Sequence, residues 1–118
     1  MLNLLSRNAE PRNSVKRISP DEAKRRLDSN EPIVILDVRE KAEYTDRHIL
    51  NSINLPLGNI GAVTQLVPNK DTVIFVYCLS GGRSAKAATQ MAKMGYKNIY
   101  NLGGINSWRY QTVSGNKK

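Results

Sequence analysis

Apolar residues concentrate in two β-branched runs, Ile33–Val38 (IVILDV) and Thr72–Tyr77 (TVIFVY). Neither alternates with polar positions, which is the pattern of strands covered on both faces in a parallel sheet. Shorter signals lie around them. Val15–Ile18 reads as a strand. Ser19-Pro20-Asp21-Glu22 reads as a helix start, with Ser19 as N-cap, Pro20 at the first position and Glu22 closing a capping box. That helix is expected to reach about Asp28, with Ala23 and Leu27 on one face. Glu40–Asp46 reads as a short helix, Ser52–Leu55 as a strand stopped by Pro56, and Asn59–Leu66 as a helix ended by Pro68. Ser84–Met94 follows the helical period with Ala85, Ala88, Met91 and Ala92 on one face and Gly95 as C-cap. Asn98–Leu102 is the last predicted strand, followed by Gly103-Gly104 and a short helix carrying Trp108.

Strands alternating with helices along the whole chain predict an α/β fold: a mainly parallel sheet of about five strands with helices on both faces, in three α/β/α layers. Residues 1–14 are polar and aperiodic and read as an N-terminal arm, 15–113 as one domain, and 114–118 as a polar tail.

Composition narrows the chemistry. The chain has 118 residues, with 40% hydrophobic and 24% charged side chains, enough for one modest core. One Cys excludes an internal disulfide, and one Cys with one His is too few for a structural zinc site. No stretch approaches the roughly 20 apolar residues of a membrane span. Met1–Leu5 is too short for the core of a signal peptide, so a reduced, cytoplasmic setting is expected. The net charge of +8 is unevenly spread: residues 78–118 hold seven basic side chains and no acidic one. Those basic residues are scattered singly without interleaved aromatics, which reads as a solvated face rather than a nucleic-acid or membrane surface, and their concentration in the segment that starts at Cys78 favours a small anion.

The acid-free segment begins at the lone cysteine, in Tyr77-Cys78-Leu79-Ser80-Gly81-Gly82-Arg83-Ser84. Cys78 ends a buried strand, a glycine-rich turn follows, and a helix is expected to open at Ser84. Ligands of α/β sheets bind at the carboxyl ends of strands. Two glycines allow the turn to curl so that backbone N–H groups point inward, and the helix N-terminus adds its positive dipole end. Such a bowl binds anions and lowers the pKa of a thiol at its centre. Arg83 closes it with a guanidinium suited to oxyanions. The alternative is a buried, inert cysteine packed as a small hydrophobe. The coincidence of strand end, Gly-Gly, Arg and helix start favours a nucleophile.

These residues resemble the rhodanese-like (thiosulfate sulfurtransferase) family. Cys78-Leu79-Ser80-Gly81-Gly82-Arg83-Ser84 is similar to the family's active loop, Cys-x-x-Gly-x-Arg-Ser. Leu36-Asp37-Val38-Arg39, Glu43-Tyr44 and His48-Ile49 are similar to its first signature, and Ile53-Asn54-Leu55-Pro56 follows in order. Gly95-Tyr96, Asn98–Ile105 and Trp108 resemble its ending. The resemblance runs from about Ile18 to Trp108. It implies a sulfurtransferase in which Cys78 takes a sulfane sulfur from thiosulfate or a related anionic donor, carries it as a persulfide, and passes it to cyanide or to a thiol acceptor. The backbone of Leu79, Ser80, Gly81, Gly82, Arg83 and Ser84 would hold the outer sulfur, with Arg83 on the departing sulfite. No cofactor and no metal are implied. Four residues separate Cys78 from Arg83, as in the sulfurtransferases. The related phosphatases and arsenate reductases have five, which argues against those activities. Non-catalytic binding modules of the same fold typically lack the cysteine.

Asp37, Arg39, His48 and Lys86 are expected in support. Asp37 and Arg39, at the end of a central strand, would tie the active loop or its neighbours. His48 is expected to be structural rather than a base for Cys78. Lys86, in the first helical turn, would attract anions. Glu43, four residues beyond Arg39, is expected to pair with it, worth about 0.5 kcal/mol if exposed. Arg47 and Asn51-Ser52 depart from the family's usual Gly and Gly-Ala. If the Gly takes a left-handed conformation, strain is expected at Arg47.

Overall fold

The computed structural model describes residues 15–117. The expected arm, 1–14, and the last residue of the expected tail lie outside this range. Five strands form one parallel sheet in the order β1-β6-β5-β2-β4, from β1 (Val15–Arg17), β2 (Ile33–Asp37), β4 (Ile53–Asn54), β5 (Val73–Cys78) and β6 (Asn98–Gly104). The two predicted apolar runs are the central pair, β2 and β5, in register from Ile33 opposite Val73 to Asp37 opposite Tyr77.

The period-two alternation of β5 divides the core. Ile74, Val76 and Cys78 face one side, against α3 (Val63–Leu66), the 3₁₀ turn Leu57–Ala62 that precedes it, and α4 (Gly82–Lys93). Phe75 and Tyr77 face the other, with Leu102, Ile105 and Trp108 and with Ala23 of α1 (Pro20–Asp28). Helices therefore cover both faces, in the three layers expected. Trp108 is 7% exposed and packs edge-on to Tyr110, with ring centroids 5.1 Å apart.

Local chemistry sets the helix starts. Ser19 Oγ accepts from Glu22 N–H at 3.1 Å and caps α1. At α2 (Lys41–Asp46), Glu40 N–H donates to Glu43 Oε1 at 2.9 Å. Several predicted boundaries move. The helix expected from Asn59 is a 3₁₀ turn kinked at Asn59 and a single α-turn from Val63. On α4, Ala87 takes the buried position expected of Ala85, which is exposed. The helix expected to carry Trp108 is a 3₁₀ turn, Ile105–Ser107, with Trp108 just past its end. A second, two-stranded antiparallel sheet pairs β3 (His48–Ile49) with β7 (Thr112–Val113) and has no counterpart in the sequence reading.

The strain expected at Arg47 is absent, since its φ of −168° is ordinary extended backbone. The left-handed residue of this turn is Asn51, at φ +71°. Asn tolerates that region better than other non-glycine residues, because its side chain bonds locally.

Candidate functional site

Cys78 closes β5, its side chain is buried, and the chain turns back over it through Leu79, Ser80 and Gly81. Gly81 has φ +113°, which glycine adopts without steric cost, and it serves as N-cap of α4. The helix thus opens at Gly82, two residues earlier than expected, and Arg83 and Ser84 belong to its first turn. Lys86 is exposed and falls one turn further along instead of in the first turn.

Two backbone amides point at the sulfur: Gly81 N–H donates to Sγ at 3.1 Å and Ser84 N–H at 3.4 Å. Burial pushes the Cys78 thiol up, but the Ser84 hydroxyl and the N–H groups of Ser84, Gly81 and Ser80 together bring it below an ordinary thiol. The N–H groups of Gly82 and Arg83, in the first turn of α4, have no partner within the helix. Leu79 is 42% exposed, an apolar side chain on the rim beside the thiol.

The floor of the loop rests on β6. Asn106 N–H donates to Leu79 O at 3.3 Å. A Cβ on Gly104 would stand 2.1 Å from Leu79 O and 2.6 Å from Ser80 Cα, so only glycine permits this approach. The β5–β6 register slips by one residue here: Val76 faces Asn101, Tyr77 faces Gly103 and Cys78 faces Gly104. Asn101, before the slip, shares the face of Val76, on the side of α4. Its Oδ1 accepts from Gly103 N–H at 2.9 Å and from Ser84 Oγ–H at 2.8 Å.

Arg83 does not stand free. Its Nη1 and Nη2 donate to Glu43 Oε1 and Oε2 at 2.7 and 3.0 Å, joining α4 to α2. The hydrogen bonds from Arg83 hold the Glu43 carboxyl down to about 2. The expected Arg39–Glu43 pair does not form. Arg39 and Asp37 are 4% and 0% exposed, and they pair with each other, Nη2 to Oδ2 at 2.7 Å. A buried guanidinium requires a buried counter-charge, which Glu43 at the rim cannot supply. Asp37 and Arg39 also tie neighbours other than the active loop. Arg39 Nη2 donates to Arg47 O at 2.6 Å, and Asn54 Nδ2 to Asp37 O and Arg39 O at 3.1 and 2.9 Å.

His48 is buried and stacked on Tyr44, with ring centroids 3.7 Å apart. Its nitrogens face two carbonyl oxygens, those of Tyr44 and Lys117, so both are engaged away from Cys78. Tyr77 is fully buried; its hydroxyl accepts from Ile49 N–H at 3.0 Å and pairs with Ser52 Oγ at 3.1 Å. Glu43's link to Arg83 and the role of Asn101 are the features that sequence reasoning missed at this site. Among the described residues no cluster of His, Cys, Asp and Glu is arranged to hold a metal, and no helix is long and apolar enough to cross a membrane.

A mainly parallel α/β sheet with a cysteine in an amide-lined loop at a strand's carboxyl end is the arrangement expected of a rhodanese-like domain. The sequence profile of the rhodanese-like domain matches residues 19–111, and the chain belongs to that family. It is 36% identical over 105 residues to YrkF of Bacillus subtilis, covering 88% of this chain but only 56% of that protein. It is 32% identical over 81 residues to the thiosulfate sulfurtransferase PspE of Escherichia coli, covering 68% of this chain and 78% of PspE. A solved Escherichia coli rhodanese with bound anions superposes with a TM-score of 0.67 at 31% identity, covering 70% of this chain and 99% of the other.

Proposed function

We propose that this domain is a sulfurtransferase that carries a sulfane sulfur as a persulfide on Cys78. The observation that carries the reading is the pair of amides, Gly81 N–H and Ser84 N–H, aimed at a buried Sγ beneath the first turn of α4. These donors favour the thiolate, which is the nucleophile. The thiolate attacks the sulfane sulfur of a donor such as thiosulfate. A sulfur–sulfur bond forms to Sγ, the bond between the sulfane sulfur and the sulfonate breaks, and its electron pair leaves on sulfite. The negative charge then sits on the outer sulfur of the persulfide, within reach of the free amides of the loop and first turn. A thiolate or cyanide attacks that outer sulfur and restores the Cys78 thiolate, so atoms and charge balance over the cycle.

Arg83 has five N–H donors, of which Glu43 takes two. The remainder hold the departing sulfite without breaking the ion pair. The name of the similar PspE, a thiosulfate sulfurtransferase, supports thiosulfate as a donor, and the absence of acidic residues from 78 to 118 favours a small anion. The 118 residues hold no second cysteine, so the acceptor thiol, small or borne on protein, lies outside them. A free thiol of this kind suits the reducing cytoplasm. The reading is tested by thiocyanate formation from thiosulfate and cyanide. Wild type is expected to form it and Cys78→Ala to form none; equal rates would remove Cys78 from the reaction.

A further inference from the structure

The Ser84 hydroxyl sits at a crowded point. It is buried, it carries one proton, and it has four groups competing around it. Asn101 Oδ1 lies at 2.8 Å, Gly81 O at 3.1 Å, Gly103 O at 3.4 Å and Cys78 Sγ at 3.5 Å. One hydroxyl proton satisfies one acceptor well, so its direction is a choice.

Asn101 makes that choice definite. Its amide could present either nitrogen or oxygen to Ser84, but Gly103 N–H donates to the same Oδ1 at 2.9 Å and fixes the oxygen inward. Asn101 stands opposite Val76 in the regular register, and the slip that follows sets Gly103, whose amide holds the oxygen, opposite Tyr77. In the protonated cysteine, Sγ–H donates to Ser84 Oγ and Ser84 Oγ–H donates to Asn101 Oδ1, which satisfies all three groups. In the thiolate, the same arrangement turns an oxygen lone pair of Ser84 toward a negative sulfur. The hydroxyl then either rotates to Sγ, leaving Oδ1 with the Gly103 amide alone, or stays and withholds its proton.

We propose that Asn101 is a positioning residue that acts through Ser84: its amide oxygen competes with the Cys78 sulfur for the Ser84 hydroxyl proton, and the hydroxyl turns between them as charge arrives on and leaves Sγ. The competition keeps the thiolate from being over-stabilised, and so keeps it nucleophilic, since nucleophilicity falls as thiol pKa falls. When the charge moves out to the persulfide's terminal sulfur, the proton returns to Asn101. This deepens the persulfide reading and rests on it, but its test reads the thiol itself and needs no sulfur donor.

The charged groups that bear on Cys78 stay the same in that test. Arg83 of α4 acts on it while paired with Glu43 of α2 and near Glu40. From β6 the neighbours are Asn101, Gly103 and Gly104, and from the end of β2 it is Val38, none of which titrates.

The experiment is the pH profile of Cys78 alkylation by iodoacetamide in the full chain. Asn101→Ala removes the acceptor. Asn101→Ser also removes it from Ser84 while keeping a side-chain oxygen for the amide two residues on, so it carries the test if the alanine variant proves unfolded. Both are expected to shift the alkylation midpoint down and to speed alkylation below that midpoint by roughly two- to tenfold, the worth of one hydrogen bond. Ser84→Ala is expected to shift it up, and in that background Asn101→Ser is expected to change nothing. An unmoved midpoint in Asn101→Ser, or the same downward shift with Ser84 already removed, overturns the proposal. Either result leaves the sulfur-transfer reading to its own assay.

Discussion

Arg83 and Glu43 meet in a two-pronged ion pair, 2.7 and 3.0 Å, across the gap between α4 and α2. The contact places a cation at the mouth of the Cys78 loop and nearly cancels its charge. Glu43 Oε1 also accepts from Glu40 N–H at the start of α2, so one carboxylate fastens a helix start and a candidate site residue together.

The pair separates two effects on an anionic donor. Arg83→Ala removes the donors themselves and is expected to raise KM for thiosulfate about tenfold, the scale of a lost charged hydrogen bond. Glu43→Gln leaves one acceptor to orient Arg83 and removes the opposing charge, so KM is expected to fall about twofold. Steady-state kinetics in both variants check this. A rise in KM for Glu43→Gln comparable to that of Arg83→Ala would show that orientation outweighs charge.

The same carboxylate has a signature in acid. Its hydrogen bonds to Arg83 lower its pKa from 4.5 to about 2 in the folded chain. A depressed carboxylate adds stability above its unfolded pKa and loses it as pH falls through the folded value. Melting temperature in wild type is therefore expected to fall more steeply between pH 4.5 and about 2 than in Glu43→Gln. Thermal melts at stepped pH give the comparison, and equal slopes would contradict it.

Two glycines near the loop are expected to behave oppositely. A Cβ at Gly104 meets the backbone of Leu79 at 2.1 Å, which cannot yield by a side-chain rotation, so the loop itself must shift. Gly104→Ala should displace the loop, cost about 1–3 kcal/mol and abolish turnover. Gly82 has nothing within 4 Å of an added Cβ and no positive φ, so Gly82→Ala should keep the fold, gaining roughly 0.5 kcal/mol. Denaturant midpoints and turnover of the two variants decide the matter.

Tyr77 lies beneath the turn between β3 and β4. Removing its hydroxyl strands the Ile49 amide and leaves Ser52 Oγ without that partner, both in a buried place. Tyr77→Phe is expected to cost about 1–3 kcal/mol by equilibrium unfolding, with the Cys78 alkylation profile unchanged. A cost near zero would mean that the two groups find other partners.

The fold was legible where burial is strong and local. IVILDV and TVIFVY carry the central strands because a strand covered on both faces must be apolar throughout. Ser19 and Pro20 announce α1 through capping chemistry confined to a few residues. The pairing of His48–Ile49 with Thr112–Val113 was hidden, since two-residue strands carry no period and their partners are far apart in sequence. The loop around Cys78 was readable from its glycines, but the partners of its side chains were not. Helical spacing pointed Arg39 to Glu43, whereas burial gave Arg39 to Asp37 and left Glu43 for a residue forty positions on. Asn101 stands opposite Val76 and reaches Ser84 seventeen residues away, a contact that the sequence of β6 does not signal.

Intact-mass measurement of the purified chain after incubation with thiosulfate reads directly whether Cys78 carries a sulfur. One added sulfur atom, located at Cys78, lost on adding cyanide and absent in Cys78→Ala, is the predicted result. An unchanged mass, or the same gain in Cys78→Ala, would mean that Cys78 carries no sulfur.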